Sequence, residues 1–525
     1  MPRNTLTSLA AAASLLAVGT ARAQSLVGDE FAWDFIQPVF SPSPETATVG
    51  PGPEFSIIFL DREYEVDIDA TSITVTAMPR PPGTSFDDTW GSNGNELLSQ
   101  LQITGLNFDD GGIIQGVSVS GTAGSLDQGD VEFTANSIFI GASVPSNNRI
   151  NWSEGQSITV DLDVCPGPAV LNVDTGDTFQ TIQDAISASS KGDTLLLGPC
   201  TFFERGIIID DRDLTIIGAG RDLTVIDGEL EDGSILRFRG ADKSTIESLT
   251  LRNGVANSSS GGGAVFTSQT RHDVVFRDVH FHGNRGGGEL YGAVYIAGGD
   301  FHFEDCLFSE NRGDAASAIG VGTGVRARVT AVNTVFADNT NANGHVWLQS
   351  GLARLDADFV NCTFGRTPGT RHILASSSDT TVNAINCVFQ GNKTPIARLS
   401  GPTTSLSRCV VPNPQGDNIQ GPPVFVDAAN LDYRLAAGSP GIDAADASAY
   451  AAFGGSPLDA AWGARTNNDA GVADTGIGPF AFLDAGAYEF QGNSPRLMDA
   501  DFNMDGSVDF FDLLDLLALI DAFMG

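Results

Sequence analysis

The chain has 525 residues, 41 % of them hydrophobic, and a formal net charge of -37 from 28 basic and 65 acidic side chains. That length supports two or three domains, each with its own core, and that hydrophobic content excludes wholesale disorder. So negative a surface repels nucleic acid and anionic lipid, and 61 glycines exclude a long helical bundle.

Arg3 puts positive charge at the N-terminus, residues 9–18 form an apolar run too short to span a bilayer, and Ala21-Arg22-Ala23 has the small-x-small spacing of a cleavage site. Residues 1–23 therefore read as an export signal, with Gln24 starting the mature chain. No later run is long and apolar enough to be a transmembrane segment. The protein is expected to be secreted, extracellular or attached to a cell surface.

Residues 24–165 carry β-rich runs near 55–60, 64–68, 72–77, 113–119, 131–140 and 157–164, separated by Gly, Pro, Asn and Asp. Polar–apolar alternation, as in Ile158-Thr159-Val160-Asp161-Leu162, predicts strands with one buried face and hence a β-sandwich. Cys165-Pro166-Gly167-Pro168 then reads as a linker.

A second domain is expected over 169–490. Phe179, Ile182, Ala185 and Ile186 share one face of a short helix, which is followed by the buried-strand run Leu195-Leu196-Leu197. A short amphipathic helix before a first β coil resembles the N-terminal cap of parallel β-helix proteins. Such a cap covers an open coil and its unpaired backbone groups.

Seven stretches then align at a period of about 22–30 residues, in the range of solenoid repeats. They are Glu247-Ser248-Leu249-Thr250-Leu251, Arg277-Asp278-Val279-His280-Phe281, Glu304-Asp305-Cys306-Leu307-Phe308, Val332-Asn333-Thr334-Val335-Phe336, Val360-Asn361-Cys362-Thr363-Phe364, Ile385-Asn386-Cys387-Val388-Phe389 and the weaker Ser407-Arg408-Cys409-Val410-Val411. The third and fifth positions point to one face of a strand, so like residues should stack inside from coil to coil. The residue before them is mostly Asp or Asn, which tolerate the left-handed conformation that a one-residue bend needs. Asn284, Asn311, Asn339 and Asn392 follow the inner Phe by three residues, where stacked amides can bond along the axis. Four of the six cysteines, Cys306, Cys362, Cys387 and Cys409, fall in the interior column and read as stacked thiols. Cys165 and Cys200 lie outside it and are the candidate pair for a bridge.

Gly438-Ser439-Pro440-Gly441-Ile442-Asp443-Ala444 and Asp484-Ala485-Gly486-Ala487-Tyr488-Glu489-Phe490 resemble the closing motifs, SPxID and DxGAxE, of secreted bacterial β-helix proteins of the choice-of-anchor type. The resemblance implies a segment that covers the last coil, with Asp443 and Asp484 cross-linking backbone.

In 498–525, Asp501, Asn503, Asp505, Ser507 through its carbonyl, Asp509 and Asp512 hold positions 1, 3, 5, 7, 9 and 12 of a loop with Gly506 at position 6. Hard oxygens at that spacing suit calcium, and Gly at 6 permits the sharp turn. Asp rather than Glu at position 12, followed by the apolar helix expected over 510–523, resembles one half of a dockerin module. That resemblance implies calcium as cofactor and a cohesin-like or cell-surface partner. An apolar helix of this kind needs a docking surface, on the chain's own β-helix or on another protein.

The expected class is mainly β: an N-terminal β-sandwich, a right-handed parallel β-helix and a short C-terminal calcium loop-helix. In fold the chain resembles pectin-lyase-like enzymes, which are polysaccharide lyases and hydrolases. Their chemistry is not visible as a pattern: no carboxylate pair is identifiable for hydrolysis, and no signature set, phosphate loop, GxSxG or HExxH occurs. A lyase needs an Arg or Lys base, for which Arg326, Arg328, Arg354 and Arg366 are available. His280 and His282 alternate with the interior residues and face outward, with His302 expected near them one coil later as part of a ligand or metal site. The reading is a secreted, non-catalytic carbohydrate- or surface-binding protein tethered by its calcium module. The alternatives are a lyase or glycoside hydrolase acting on acidic polysaccharides at the β-helix face, and a spacer of surface structures.

Overall fold

The computed structural model describes mainly the strands and some turns within residues 30–168, and all of 169–491 except 241–242, 257–260, 269–270, 287–290, 341–342, 352, 392 and 466. The export signal, the calcium loop-helix and Asn392 lie outside the described residues. The chain forms two compact units. One runs to Thr181 and includes Leu196–Thr201; the other comprises Ile182–Leu195 and continues from Phe202.

The first unit contains a sandwich of two antiparallel sheets. One orders Val131–Thr134, Ser137–Ile140, Gln100–Thr104, Glu30–Ile36 and Glu45–Thr48. The other orders Ile113–Gly121, Ser157–Cys165, Ser72–Ala77, Arg62–Ile68 and Phe55–Phe59. Alternation sets the buried face, so Ile73, Val75, Val160 and Leu162 meet Leu101, Ile103, Ile138 and Ile140 in one core. Cys165 and Cys200 are disulfide-bonded.

The second unit is a right-handed parallel β-helix of about seven turns. Each coil gives the long sheet a strand that turns sharply near its middle: Lys243–Arg252 and His272–His282, then the broken pairs from Gly299–Glu304 with Leu307–Ser309 to Thr403–Ser407 with Val410–Val411. The turn is a single left-handed residue. Ser248, Asp278, Asp305, Asn333, Asn361, Asn386 and Arg408 have φ between 49° and 55°, where Asn and Asp are least penalised. Leu249, Val279, Cys306, Thr334, Cys362, Cys387 and Cys409 follow them inside, all buried, and the four thiols are free.

Phe281, Phe308, Phe336, Phe364 and Phe389 stack face to face at 4.4, 5.0, 4.9 and 4.8 Å. Those spacings follow the strand separation of about 4.8 Å. A second parallel sheet of eight strands, from Ile207–Asp210 to Thr394–Leu399, closes the lumen. At the corner after the inner Phe, the Asn284 amide donates to Asn311 Oδ1 at 3.0 Å and the Asn311 amide to Asn339 Oδ1 at 2.9 Å. Each Nδ2 also serves a backbone carbonyl, so these buried amides are structural.

The first coil is capped as expected. Helix Ile182–Ala188 buries Ile182, Ala185 and Ile186. Glu204 accepts from the Ile182 and Gln183 amides at 2.7 and 3.2 Å, and Gln183 Oε1 accepts from Ile208 N of the first second-sheet strand at 2.7 Å.

The closing segment runs along the outside of the long sheet beside the bends and reaches the last coil there, where Ala485 packs on Val410 and Arg408 donates to Thr475 O at 2.8 Å. Ala445, Ala447, Tyr450 and Leu483 pack on Val332 and Val360, and Ala460 and Ala487 on Val335 and Ala337. The left-handed bends aim their amides outward into this segment: Asn361 donates to Asp484 O at 2.9 Å and Asn386 to Asp446 O at 3.0 Å. Fully buried Arg465 donates to Asn333 Oδ1 at 2.6 Å and Gly486 O at 2.8 Å, lies over the Tyr450 ring and pairs with Glu489. Asp484 cross-links backbone as expected, accepting from Asp443 N at 2.7 Å and Phe490 N at 2.5 Å.

Candidate functional site

His280 and His282 lie on the outer side of their strand, as the alternation predicts, and Ser309 bridges them, 2.8 Å from His280 Nε2 and 3.0 Å from His282 Nδ1. Ser309 is fully buried, and burial, with the neighbouring His282 and Arg221, pushes His280 down to about 3. Burial thus closes the hydroxyl off from solvent and weakens the imidazole beside it as a base. The register corrects the expected third member. His302 stands beside Val275 and Thr330, in the first half of the rung, and pairs with Glu304 at 3.8 Å, whereas Leu307 and Ser309 stand beside His280 and His282. A shared imidazole site therefore does not form. Among the described residues no group of three His, Cys, Asp or Glu side chains is arranged to hold a metal ion. The calcium ligands Asp501, Asn503, Asp505, Ser507, Asp509 and Asp512 lie outside the described residues.

The arginines weighed for lyase chemistry all sit beside aspartates. Arg326 and Arg354 contact Asp356 at 4.0 and 2.8 Å, Arg328 contacts Asp358 at 3.1 Å, and Arg366 contacts Asp338 at 2.6 Å. Of these four, Arg366 lines a cavity. Three successive turns at the same corner of the solenoid, after Phe336, Phe364 and Phe389, enclose about 590 Å³ between Asp338, Thr340, Arg366, Thr367, Gln390 and Lys393.

The sequence explains why the wall opens there. Three residues after the inner Phe, the first coils carry Asn284, Asn311 and Asn339, but the next carries Thr367, followed by Pro368. A threonine hydroxyl has one donor, so it cannot serve a backbone carbonyl and the next rung at once as the two donors of an asparagine amide do. The ladder ends at Asn339, whose Nδ2 turns to His345 Nδ1 at 3.2 Å.

Within this cavity Asp338 holds the Arg366 guanidinium and raises its pKa, and the Tyr433 hydroxyl donates to Asp338 at 3.4 Å. The Lys393 ammonium donates to the carbonyls of Thr367 and Gly369, while desolvation lowers its pKa. Gln390 Oε1 is buried with no hydrogen-bond partner among the described residues. Two cations, an amide and threonine hydroxyls suit an anionic, hydroxyl-rich ligand. Among the described residues Asp338 is the one carboxylate lining the cavity, so it lacks the second carboxylate that acid–base glycoside hydrolysis requires. Behind the wall, His345 and His372 stack at 5.6 Å in the lumen. Burial keeps both neutral, His345 being pushed down to about 3.

A second aromatic column, on the outer face of the eight-stranded sheet, invites a sugar-stacking role. Arg237 lies over Phe266, Phe266 stacks on Tyr295 and Tyr295 on Tyr291, and Tyr291 meets Trp347 edge-on. Within the column, Phe266, Tyr295 and Tyr291 spend ring faces on one another.

No protein-family model matches the chain, and no curated protein is significantly similar to it in sequence. Among solved structures it is similar to a mutant pectin methylesterase in complex with a hexasaccharide, at 14 % identity over 49 % of this chain and 92 % of that one, with a TM-score of 0.29. It is also similar to the Agl-KA catalytic domain, at 11 % identity over 61 % of this chain and 91 % of that one, with a TM-score of 0.16.

Proposed function

We propose that the chain is a secreted, non-catalytic carbohydrate-binding protein that takes an anionic stretch of polysaccharide into the cavity between Asp338 and Lys393. The observation that carries this reading is the presence there of two cations beside the buried Gln390 Oε1, which has no hydrogen-bond partner among the described residues, on a chain that is otherwise strongly acidic. The Cys165–Cys200 disulfide supports export, because such bonds persist in oxidising compartments. The C-terminal loop is the calcium-dependent element of the same reading and fixes the end of the chain when loaded. A cohesin-like or cell-surface partner for it belongs to the same proposal.

Binding of polygalacturonate, alginate and neutral dextran to the full chain tests the cavity. The acidic polymers are expected to bind and dextran not. Arg366→Ala with Lys393→Ala is expected to weaken binding about tenfold, the worth of one or two charge-assisted hydrogen bonds. Equal binding by wild type and the double variant refutes the site.

A lyase is the second reading, favoured by the lowered pKa of Lys393 beside Arg366. In it, the Lys393 amine would take the proton next to the uronate carboxylate, a carbon–carbon double bond would form as the bond to the glycosidic oxygen breaks, and that oxygen would take a proton from water. Against it, both carbonyls that Lys393 serves require its proton. Sustained release of unsaturated uronate, lost in Lys393→Ala, would replace the binding reading with this one.

A further inference from the structure

The inner columns of the solenoid change character at the last coil. One runs in register through Val321, Leu348 and Ala375 of the eight-stranded sheet, all fully buried, and ends in Arg398, which is exposed. Another runs through Phe301, Val329, Ala357 and Val382 of the long sheet, all buried, and ends in part-exposed Thr404. On the same two strands Ile396 and Leu406 keep the apolar character of buried Ile373 and Ala384. The last coil therefore mixes an apolar surface with an arginine and a threonine, the composition of a ligand site rather than of a core.

A cavity of about 740 Å³ opens here, within the size range of small-molecule sites. The chain from Pro412 to Asn418 also lines it and is pinned to the last rung. Ile419 donates to Cys409 O at 2.8 Å, and the Asn418 side chain accepts from Cys409 N at 2.9 Å and donates to Leu406 O at 3.1 Å. The lining favours an anion. It includes Lys393 and Arg398 but neither Asp nor Glu, on a chain with 65 acidic side chains. Arg398 makes no ion pair among the described residues, unlike Arg326, Arg328, Arg354 and Arg366. Lys393 also lines the cavity of Arg366, so the two cavities meet at one ammonium.

We propose that this mouth is the second half of one elongated binding site, in which a linear acidic polysaccharide passes over Lys393 and sets carboxylates against both Arg366 and Arg398. The proposal rests on the carbohydrate-binding reading of the first cavity and names the ligand class more closely: a polyuronate with acidic groups on separate sugars, not a single uronate. Five residues of extended strand separate Lys393 from Arg398, about 16 Å and more than one sugar ring spans. Ile396 and Leu406 give the carbon-bound hydrogens of a ring an apolar surface, and Thr404 can bond its hydroxyls. Contacts in both cavities make the second binding event intramolecular, so affinity grows with chain length.

Calorimetry of the full chain with galacturonate oligomers of increasing length tests this. Affinity is expected to rise about tenfold or more between an oligomer that fills only the first cavity and one that reaches Arg398. Arg398→Ala is expected to weaken the long oligomer about tenfold and leave the short one unchanged, whereas Arg366→Ala weakens both. Arg271→Ala, at an exposed arginine that lines neither cavity, is expected to change neither affinity. Affinity independent of length, or equal weakening of short and long oligomers by Arg398→Ala, overturns the second half of the site and leaves the first cavity standing. Weakening by Arg271→Ala as large as that by Arg398→Ala reduces the effect to net charge and overturns it too. Failure of every oligomer to bind overturns the carbohydrate-binding reading, and the elongated site with it.

Discussion

At one end of the solenoid a helix seats Ile182, Ala185 and Ile186 on the first coil, and Gln183 accepts the Ile208 amide of the edge strand. At the other, Ile396 and Leu406, in register with buried Ile373 and Ala384, are part-exposed, and strand Thr394–Leu399 has an open edge among the described residues. Both ends present the same problem, since a stack of coils must stop somewhere and its final rung exposes core and backbone. The first is solved by residues adjacent in sequence. At the second, Ile419–Gln420 pairs with Val410–Val411 on the long sheet, and the chain beyond it, 422–490, holds the side wall. The difference shows that a segment's position in sequence does not decide which surface it covers. The column it faces decides that.

The largest expected effect tests whether the side wall holds the C-terminal coils. Arg465→Met leaves Asn333, Gly486 O and Glu489 without their buried donor and should cost about 3–5 kcal/mol in urea unfolding. A loss below about 1 kcal/mol would mean that the wall is only draped over the coils. Next comes the direct comparison of ends. Ile186→Ala in the cap helix should cost about 2–4 kcal/mol, whereas Ile396→Ala at the last coil should cost about 1 kcal/mol or less. Equal losses would show that the last coil is covered as well as the first.

Acid should loosen the coils. His345 is neutral in the fold with its pKa pushed down to about 3, while the unfolded imidazole titrates near 6.5. The unfolded state therefore takes up the proton first. Its contribution is fully present above pH ~6.5 and is lost as pH falls, at about 1.4 kcal/mol per pH unit, or about 2–3 kcal/mol between pH 6 and 4. His345→Gln should remove that share of the slope, read as a flatter loss of stability between pH 6 and 4 in urea unfolding. The smallest effect is at the cap itself. Glu204→Ala removes an acceptor from the Ile182 and Gln183 amides and should cost about 1 kcal/mol, seen as faster exchange in Ile207–Asp210.

Much of the fold was legible because its determinants are local and repeated. The bend column predicted its own left-handed φ, since few residues other than Asp and Asn accept that backbone cheaply. The inner Phe and Asn columns predicted their stacks. The sandwich strands were legible from alternation where it is strong, while Glu30–Ile36, Glu45–Thr48 and Gln100–Thr104 were not read as strands. The side wall had a signal that went unused. The position before the bend reads Glu247, Arg277 and Glu304 in the early coils, then Val332, Val360 and Ile385. An outward column that turns from charged to apolar marks where another segment lies. The cavity had one too, in Thr367 interrupting the asparagine column. The expected cluster of His280, His282 and His302 failed for a simple reason: alternation fixes the face of a strand but not the position along the rung, and register set His302 against Val275.

The sequence by itself determined the coil: where each strand bends, which residues point inward and what stacks on what, because those choices depend on neighbours one or two residues away. Only the tertiary structure decided which outer surfaces are covered and which stay open. It placed Arg465 against Asn333 and set Lys393 beside Arg366, leaving Ile396 at an unclosed mouth. Those outcomes depend on how chain segments far apart in sequence compete for the same apolar columns and unpaired amides, and that competition is resolved only when every coil is in place.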